Sequence, residues 1–153
     1  MRALATLAAV ISDTHGVLRP QVIQYLKICD VIIHAGDFDD QETLDSIAEY
    51  APLYAVRGNN DWGLKLPSAL RFRIEGLKFV MVHNRITMPE LQDADVAVFG
   101  HSHRYYCRDE NGVLWLNPGS CGRRRFGLEL SLVLMRIDGI SRTVEKVSLS
   151  ERG

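Results

Sequence analysis

A pattern that occurs five times in this sequence limits the folds open to it. Each time, a short apolar run ends and Asp, Asn or His residues follow within a few positions. Unbroken apolar runs are typical of buried strands, and ligand-binding residues in α/β folds lie beyond the carboxyl ends of strands. We therefore expect these polar side chains to meet at one edge of a sheet. The transitions run from Ile11 to Asp13 and His15, from Ile33 to Asp37, from Val56 to Asn59, from Val82 to His83, and from Phe99 to His101 and His103.

The order of the predicted elements favours an α/β fold with two sheets, in a single domain spanning residues 1–153. Strands and helices alternate in the first half, whereas the second half is mostly strand with hairpin turns. Alternation followed by strand meanders suits two sheets better than one parallel sheet. We predict a first strand from about Ala3 to Ile11 and a helix with Pro20 in its first turn. A second helix would be capped by Asp39 or Asp40, and its buried face would carry Leu44, Ile47, Ala48 and Ala51. A short helix is predicted around Pro89 to Asp93.

Charge and cysteine content narrow the class of protein. The 18 basic and 19 acidic residues give a net charge of -1, which argues against a nucleic-acid binder that relies on bulk positive charge. Three cysteines without a CxxC motif indicate a reducing compartment. The apolar start of the chain continues directly into Asp13, which favours a first strand over a signal peptide, and no run is long enough to span a bilayer. We expect a cytoplasmic protein with no membrane partner, and the sequence leaves a homo-oligomer open.

The residue types in the pattern suit a particular kind of metal site. Carboxylate oxygens, amide oxygens and imidazole nitrogens bind manganese, iron and zinc, and the absence of cysteine from the set argues against a thiolate site. A carboxylate shared by two cations about 3.5–4 Å apart allows them to activate water and to neutralise phosphate oxygens. Hydrolysis of a phosphate ester requires both effects.

These blocks resemble the calcineurin-like metallophosphoesterase superfamily, and Asn117-Pro118-Gly119-Ser120 is similar to a turn of its small bacterial and archaeal phosphodiesterase branch. The resemblance implies a four-layer α/β/β/α sandwich of two mixed sheets and a phosphodiesterase that acts on small molecules. It also implies two divalent cations, with manganese expected first and nickel, iron or zinc as alternatives. Asp37 would bridge the cations, with a nucleophilic hydroxide opposite it. The implied ligands are Asp13, His15, Asp37 and His103 for the first cation, and Asp37, Asn59, His83 and His101 for the second.

Two positions depart from the family pattern and bear on catalysis. Asn60 replaces a His that helps to protonate the leaving group, and an amide cannot act as that acid near neutral pH. Substrates with good leaving groups, or proton donation by Asp61 or water, would compensate. Arg85 replaces a second His of the His83 block. Its two interpretations, a bidentate phosphate ligand and a solvated side chain, both remain open.

Residues outside the proposed cage have alternative roles. We interpret His34 as a core residue that orients a neighbour. The run Arg123-Arg124-Arg125 is either a solvated face or a local attraction for substrate, and Trp62 either stacks on a nucleotide or aryl group or packs on the surface.

Two other functions remain open on the same fold. One is a phosphatase acting on phosphomonoesters or nucleotides. The other is a non-catalytic protein-binding scaffold, because the retromer scaffold subunit is similar to these enzymes. All seven cage positions carry residue types that can bind a metal, which favours the enzyme.

Overall fold

In the computed structural model, which describes residues 5–124 and 127–150, the apolar runs form ten strands in two mixed sheets. The predicted start of the first strand at Ala3 lies outside the described residues. The first sheet has the order β10-β9-β1-β2-β3, with β1 Thr6–Ile11, β2 Val31–His34, β3 Leu53–Ala55, β9 Leu130–Asp138 and β10 Ser141–Leu149. The second has the order β4-β5-β6-β8-β7, with β4 Ala69–Ile74, β5 Leu77–Val82, β6 Val96–Val98, β7 Tyr106–Glu110 and β8 Val113–Asn117.

The two sheets pack face to face over a shared apolar core. Val10 and Ile33 from the first sheet and Met81 and Val98 from the second are fully buried in this layer. Side chains of this size contribute about 1.5–3 kcal/mol each when they leave water. The core therefore fixes how the strand ends of one sheet face those of the other.

Two helices cover the outer face of the first sheet. They are α1 Pro20–Leu26, with Pro20 in its first turn, and α2 Gln41–Ala48. The side chain of Asp40, one of the two predicted caps, accepts a hydrogen bond from the Thr43 amide and so caps α2. Ala48 was predicted on the buried face but is exposed, because the apolar face of α2 is centred on Ile47. In the part of the chain that the structure describes, neither helix has the length or apolarity needed to cross a bilayer.

The outer face of the second sheet is covered by the segment 84–95. The helix predicted around Pro89 to Asp93 is wrong, and a single 3-10 turn, Arg85–Thr87, occurs instead. The Asn84 side chain accepts a hydrogen bond from the Ile86 amide and begins this turn, whereas Met88 precedes a proline and has extended backbone. The sandwich of two mixed sheets is confirmed, with a thin fourth layer.

The strand ends that carry the polar residues meet at one side of the sandwich. Three of them, from the parallel strands β1, β2 and β3, belong to the first sheet, and two, from the parallel strands β5 and β6, belong to the second. The expectation that all five share one sheet edge is therefore wrong. Contacts cross between the sheets here: His83 Nδ1 donates to Ala35 O at 2.8 Å, and the His101 amide donates to Asp13 Oδ2 at 3.2 Å.

Candidate metal centre

Five buried side chains converge where the strand ends meet. They are Asp13, His15, Asp37, His83 and His103, of which His103 is the most exposed at 7%. Donor atoms of Asp13, His15 and His103 all lie within 4.8 Å of one another, and so do those of Asp13, Asp37 and His83. The Nε2 atoms of His15 and His103 lie 3.6 and 3.5 Å from Asp13 Oδ1, and His83 Nε2 lies 3.2 Å from Asp37 Oδ2.

Several buried polar atoms in this cluster have no hydrogen-bond partner among the described residues. They include Asp13 Oδ1, His15 Nε2 and His83 Nε2. A buried polar atom without a partner costs about 1–3 kcal/mol, so such atoms are rare and require an explanation. Cations held by the two donor groups would take these atoms as ligands, and the donor set therefore fits divalent metals.

The backbone at the site is held in a conformation that L-residues rarely adopt. The φ angles of the residues concerned are positive, which costs roughly 1–2 kcal/mol per residue. Such strain persists only where surrounding contacts enforce it, and it is concentrated at functional sites. The cage residues with this backbone are Asp13 (56°), His15 (48°), Asp37 (68°), His101 (72°) and His103 (62°).

The charges at the site favour ionised carboxylates. Burial opposes the ionisation of Asp37, but the adjacent His83 ring and the Asn60 amide outweigh it, and the pKa of Asp37 lies below its ordinary value. The pKa of Asp13 is lowered in the same way, against burial, by His15 and His83. The rings show the reverse: burial lowers the pKa of His15 and His83, yet the nearby carboxylates raise it overall.

Neighbouring groups fix the orientation of the two imidazoles. Asp39 Oδ1 lies 3.0 Å from His15 Nδ1, and Ala35 O accepts from His83 Nδ1. In both rings the Nε2 atom is thereby turned towards the cluster, as in the carboxylate–histidine–metal arrangement of metalloproteins. From its sequence Asp39 was predicted only as a possible helix cap, although its position two residues after Asp37 could have indicated a role at the site.

His34 links the loops that follow β1 and β2. Its Nδ1 accepts from the Gly36 amide at 3.0 Å, so Nε2 carries the proton and donates to Thr14 Oγ1 at 3.1 Å. The ring is fully buried against Phe38, and burial lowers its pKa to about 3. The interpretation of His34 as a core residue that orients its neighbours agrees with these contacts.

Asn59 and His101 lie at the exposed rim, and His101 belongs to neither of the two compact donor groups. The His101 ring meets His83 edge-on, with centroids 5.2 Å apart. Asn60 contacts Asp37 directly: its backbone amide donates to Oδ1 at 3.0 Å and its side chain to Oδ2 at 3.4 Å. Asn60 therefore positions the central carboxylate.

Asp61 has a different position from the one that proton donation requires. Its carboxylate is fully buried. Oδ1 accepts from the amides of Phe38 and Asp39, and Oδ2 accepts from those of Asp37 and Gly58, at 2.8–2.9 Å. Because both oxygens are engaged with backbone, Asp61 holds the Asp37 loop, and the hypothesis that it protonates a leaving group lacks geometric support.

Arg85 is partly exposed, stacks on aromatic rings and pairs with Glu110. Its guanidinium carbon lies 4.5 Å from the Trp115 ring and 5.0 Å from the Tyr106 ring, and Nη2 donates to Glu110 at 3.3 Å. This placement follows from side chains on β7 and β8, which the local sequence around His83 does not contain.

The remaining candidates lie around the cage. Asn117 Nδ2 donates to Gly100 O and Ser120 Oγ to Asp13 O, so both stabilise the ligand loops. Trp62 is 79% exposed on the surface. Of the arginine run, Arg124 bonds to the Leu128 carbonyl, whereas Arg125 lies outside the described residues.

The chain has relatives of known sequence and known structure. It is 35% identical over 130 residues to a probable metallophosphoesterase of Methanocaldococcus jannaschii, covering 74% of this chain and 67% of that protein. It is 28% identical to a phosphodiesterase of the same organism, over 73% and 82% of the two chains. A solved structure of vacuolar protein sorting 29 from Cryptosporidium parvum superposes with a TM-score of 0.81, covering 97% of this chain and all of that one, at 18% identity. The model of the calcineurin-like phosphoesterase superfamily domain matches residues 7–139, and this chain therefore belongs to that superfamily.

Proposed function

We propose that the protein is a phosphodiesterase that uses two divalent cations, with manganese as the first candidate. The observation that supports this most strongly is that unpartnered buried donor atoms of Asp13, His15 and His83 belong to two adjacent donor groups, which share Asp13. Bound divalent cations would lower the pKa of water and neutralise the oxygens of a phosphate ester.

The ligand assignment follows the two sides of the cluster. Asp13, His15, Asp37 and His103 would hold the first cation; the donor atoms of Asp13, His15 and His103 lie within 4.8 Å of one another, and Asp37 Oδ2 lies 3.6 Å from His15 Nε2. Asp37, Asn59, His83 and His101 would hold the second. Asp37 would be shared, with its oxygens kept ionised and oriented by the Asn60 amides.

Neither Asn60 nor Asp61, the two residues considered as donors to the leaving group, is suited to protonate it. Asn60 is an amide, and both Asp61 oxygens accept hydrogen bonds from backbone amides. Esters of alcohols with a low pKa, such as phenols, need little help from an acid because the leaving group is stable without a proton. We therefore expect such esters to be the better substrates.

Hydrolysis of bis-p-nitrophenyl phosphate after chelation and re-addition of manganese tests this function. We expect activity only with the metal, and a loss of at least about 10²-fold in Asp37→Ala, because the shared ligand is removed. Asp45→Ala, which alters an exposed carboxylate on α2, is the matched control and should keep full activity. A purified wild-type protein that binds no divalent metal would contradict the proposal.

Two competing functions have their own signatures. Faster hydrolysis of p-nitrophenyl phosphate than of the diester would favour a phosphomonoesterase; the relative named as a phosphodiesterase supports the diester. The likeness in fold to vacuolar protein sorting 29 is the reason to retain a protein-binding scaffold as an alternative. A metal-loaded protein that hydrolyses no phosphoester but retains a partner in pull-downs would favour the scaffold.

A further inference from the structure

A cavity of about 330 Å³ opens directly beside His101, on the side of the second sheet. We call it the side pocket. This volume lies at the lower end of the range for small-molecule sites, about 300–1,000 Å³. It shares His101 with the proposed cation cage, so a phosphate held there would lie next to the pocket mouth. Its lining includes Asn84, Arg85, Phe99, His101, Tyr105 and Tyr106.

The walls of the side pocket are held in place by a network around Arg85. The guanidinium lies over the rings of Phe99 and Tyr106, at 5.4 and 5.0 Å, and is backed by Trp115. Glu110 Oε2 accepts from both Arg85 Nη2 and the Tyr106 hydroxyl, at 3.3 and 2.9 Å. The network fixes flat surfaces at the pocket wall before any ligand arrives, which lowers the entropic cost of binding.

These surfaces suit one kind of ligand. Aromatic faces and a stacked guanidinium bind flat π-systems by stacking, with little preference for a particular ring. Two positive charges lie at this pocket: Arg85, which is partly balanced by Glu110, and the exposed Arg104. They favour a ligand that carries a negative charge next to its ring. An aromatic group attached to a phosphate meets both conditions.

We infer that the side pocket binds the aromatic ester group of the substrate, so that the preferred substrates are phosphoesters bearing an aryl or heteroaromatic ring. The inference rests on the proposed function for the position of the phosphate. Neither Asn60 nor Asp61 is suited to protonate a leaving group, which agrees with the inference because aromatic alcohols leave more readily than aliphatic ones.

Two phosphonates of matched charge test the inference on the manganese-loaded protein by titration calorimetry. In benzylphosphonate a CH₂ group takes the place of the ester oxygen and carries the ring, whereas ethylphosphonate lacks the ring. Base-on-aromatic stacking corresponds to about a tenfold gain in affinity or more. We expect wild type to bind benzylphosphonate about tenfold more tightly, Tyr106→Phe to keep this ratio because the ring remains, and Tyr106→Leu to reduce it to about two.

A wild-type measurement avoids dependence on the fold of the variant. Benzylphosphonate, but not ethylphosphonate, should shift the NMR signals of the Arg85 Nε–H group and the Tyr106 ring. Equal affinities for the two phosphonates in wild type, with no such shifts, would overturn the inference while leaving the proposed function intact. If the manganese-loaded protein bound neither phosphonate, the inference would also be overturned, whereas failure to bind manganese would contradict the proposed function.

Discussion

Asp39 Oδ1 and Ala35 O engage the Nδ1 atoms of His15 and His83, the ring nitrogens that face away from the cluster. The chain thus fixes which nitrogen of each ring is available to a cation. A carboxylate in this position also raises the basicity of the imidazole, and its loss typically lowers metal affinity by about 10–100-fold.

The variant Asp39→Asn should therefore bind manganese at least about tenfold more weakly than wild type. Asn tolerates the left-handed backbone of position 39, where φ is 77°, so the change removes charge with little added strain. Titration calorimetry measures the affinity. Asp45→Asn, at an exposed position of α2, is the matched control. An affinity for Asp39→Asn within twofold of wild type would show that this carboxylate does not support His15.

His34 predicts a pH dependence of stability. Burial lowers its pKa to about 3 from an ordinary 6.5, so between these values the unfolded chain binds a proton that the folded chain does not. Stability is therefore lost as pH falls below 6.5, at up to about 1.4 kcal/mol for each pH unit from this residue alone.

In His34→Gln this contribution should disappear, and the free energy of unfolding should fall less steeply between pH 6.5 and pH 5. Urea unfolding in the presence of a chelator, so that metal binding does not contribute, measures the two slopes. Parallel slopes for wild type and His34→Gln would contradict a buried neutral ring. The comparison holds even if the variant is less stable at pH 7, because only the slope is interpreted.

The conformation of the loop after β2 depends on the turn after β3. Four backbone amides of these two segments point at one carboxylate, that of Asp61. Gly58 lies so close to Asp37 that a Cβ there would be 2.1 Å from Asp37 Oδ1. The position of the central ligand therefore depends on a neighbouring strand end as much as on its own loop.

Replacing Asp61 with Asn should cost about 2–4 kcal/mol of unfolding free energy, because an NH₂ group would face backbone amides that now donate to an oxygen. Chemical denaturation of the chelated protein measures this cost, again beside Asp45→Asn. A cost below about 1 kcal/mol would mean that the loop holds its shape without the carboxylate.

The sequence allowed the strand ends to be predicted, because buried strands and turn residues leave local patterns. The sequence did not allow us to predict which strand ends belong to which sheet, because strand pairing depends on contacts between residues far apart in the chain. The helix around Pro89 to Asp93 was wrong because Gln92, inside that range, has a left-handed φ of 54°, which a right-handed helix does not contain. The contacts of Arg85 could not be predicted either, because Tyr106 and Trp115 contact it from other strands.

For the molecule as a whole, the sandwich brings together two sets of strand ends that neither sheet could join alone. Asp13, His15 and Asp37 follow strands of the first sheet, and His83 and His103 come from the second. A cation bound between them would link the sheets, and we expect saturating manganese to raise the melting temperature, by mass action on the folded state.

The number and position of manganese ions per chain can be measured by anomalous scattering from crystals grown with the metal, supported by elemental analysis in solution. We expect two ions per chain, about 3.5–4 Å apart, one beside Asp13, His15 and His103 and the other beside His83, with Asp37 between them. A single ion, no ion, or ions bound away from Asp13 and Asp37 would contradict a two-cation site formed by both sheets.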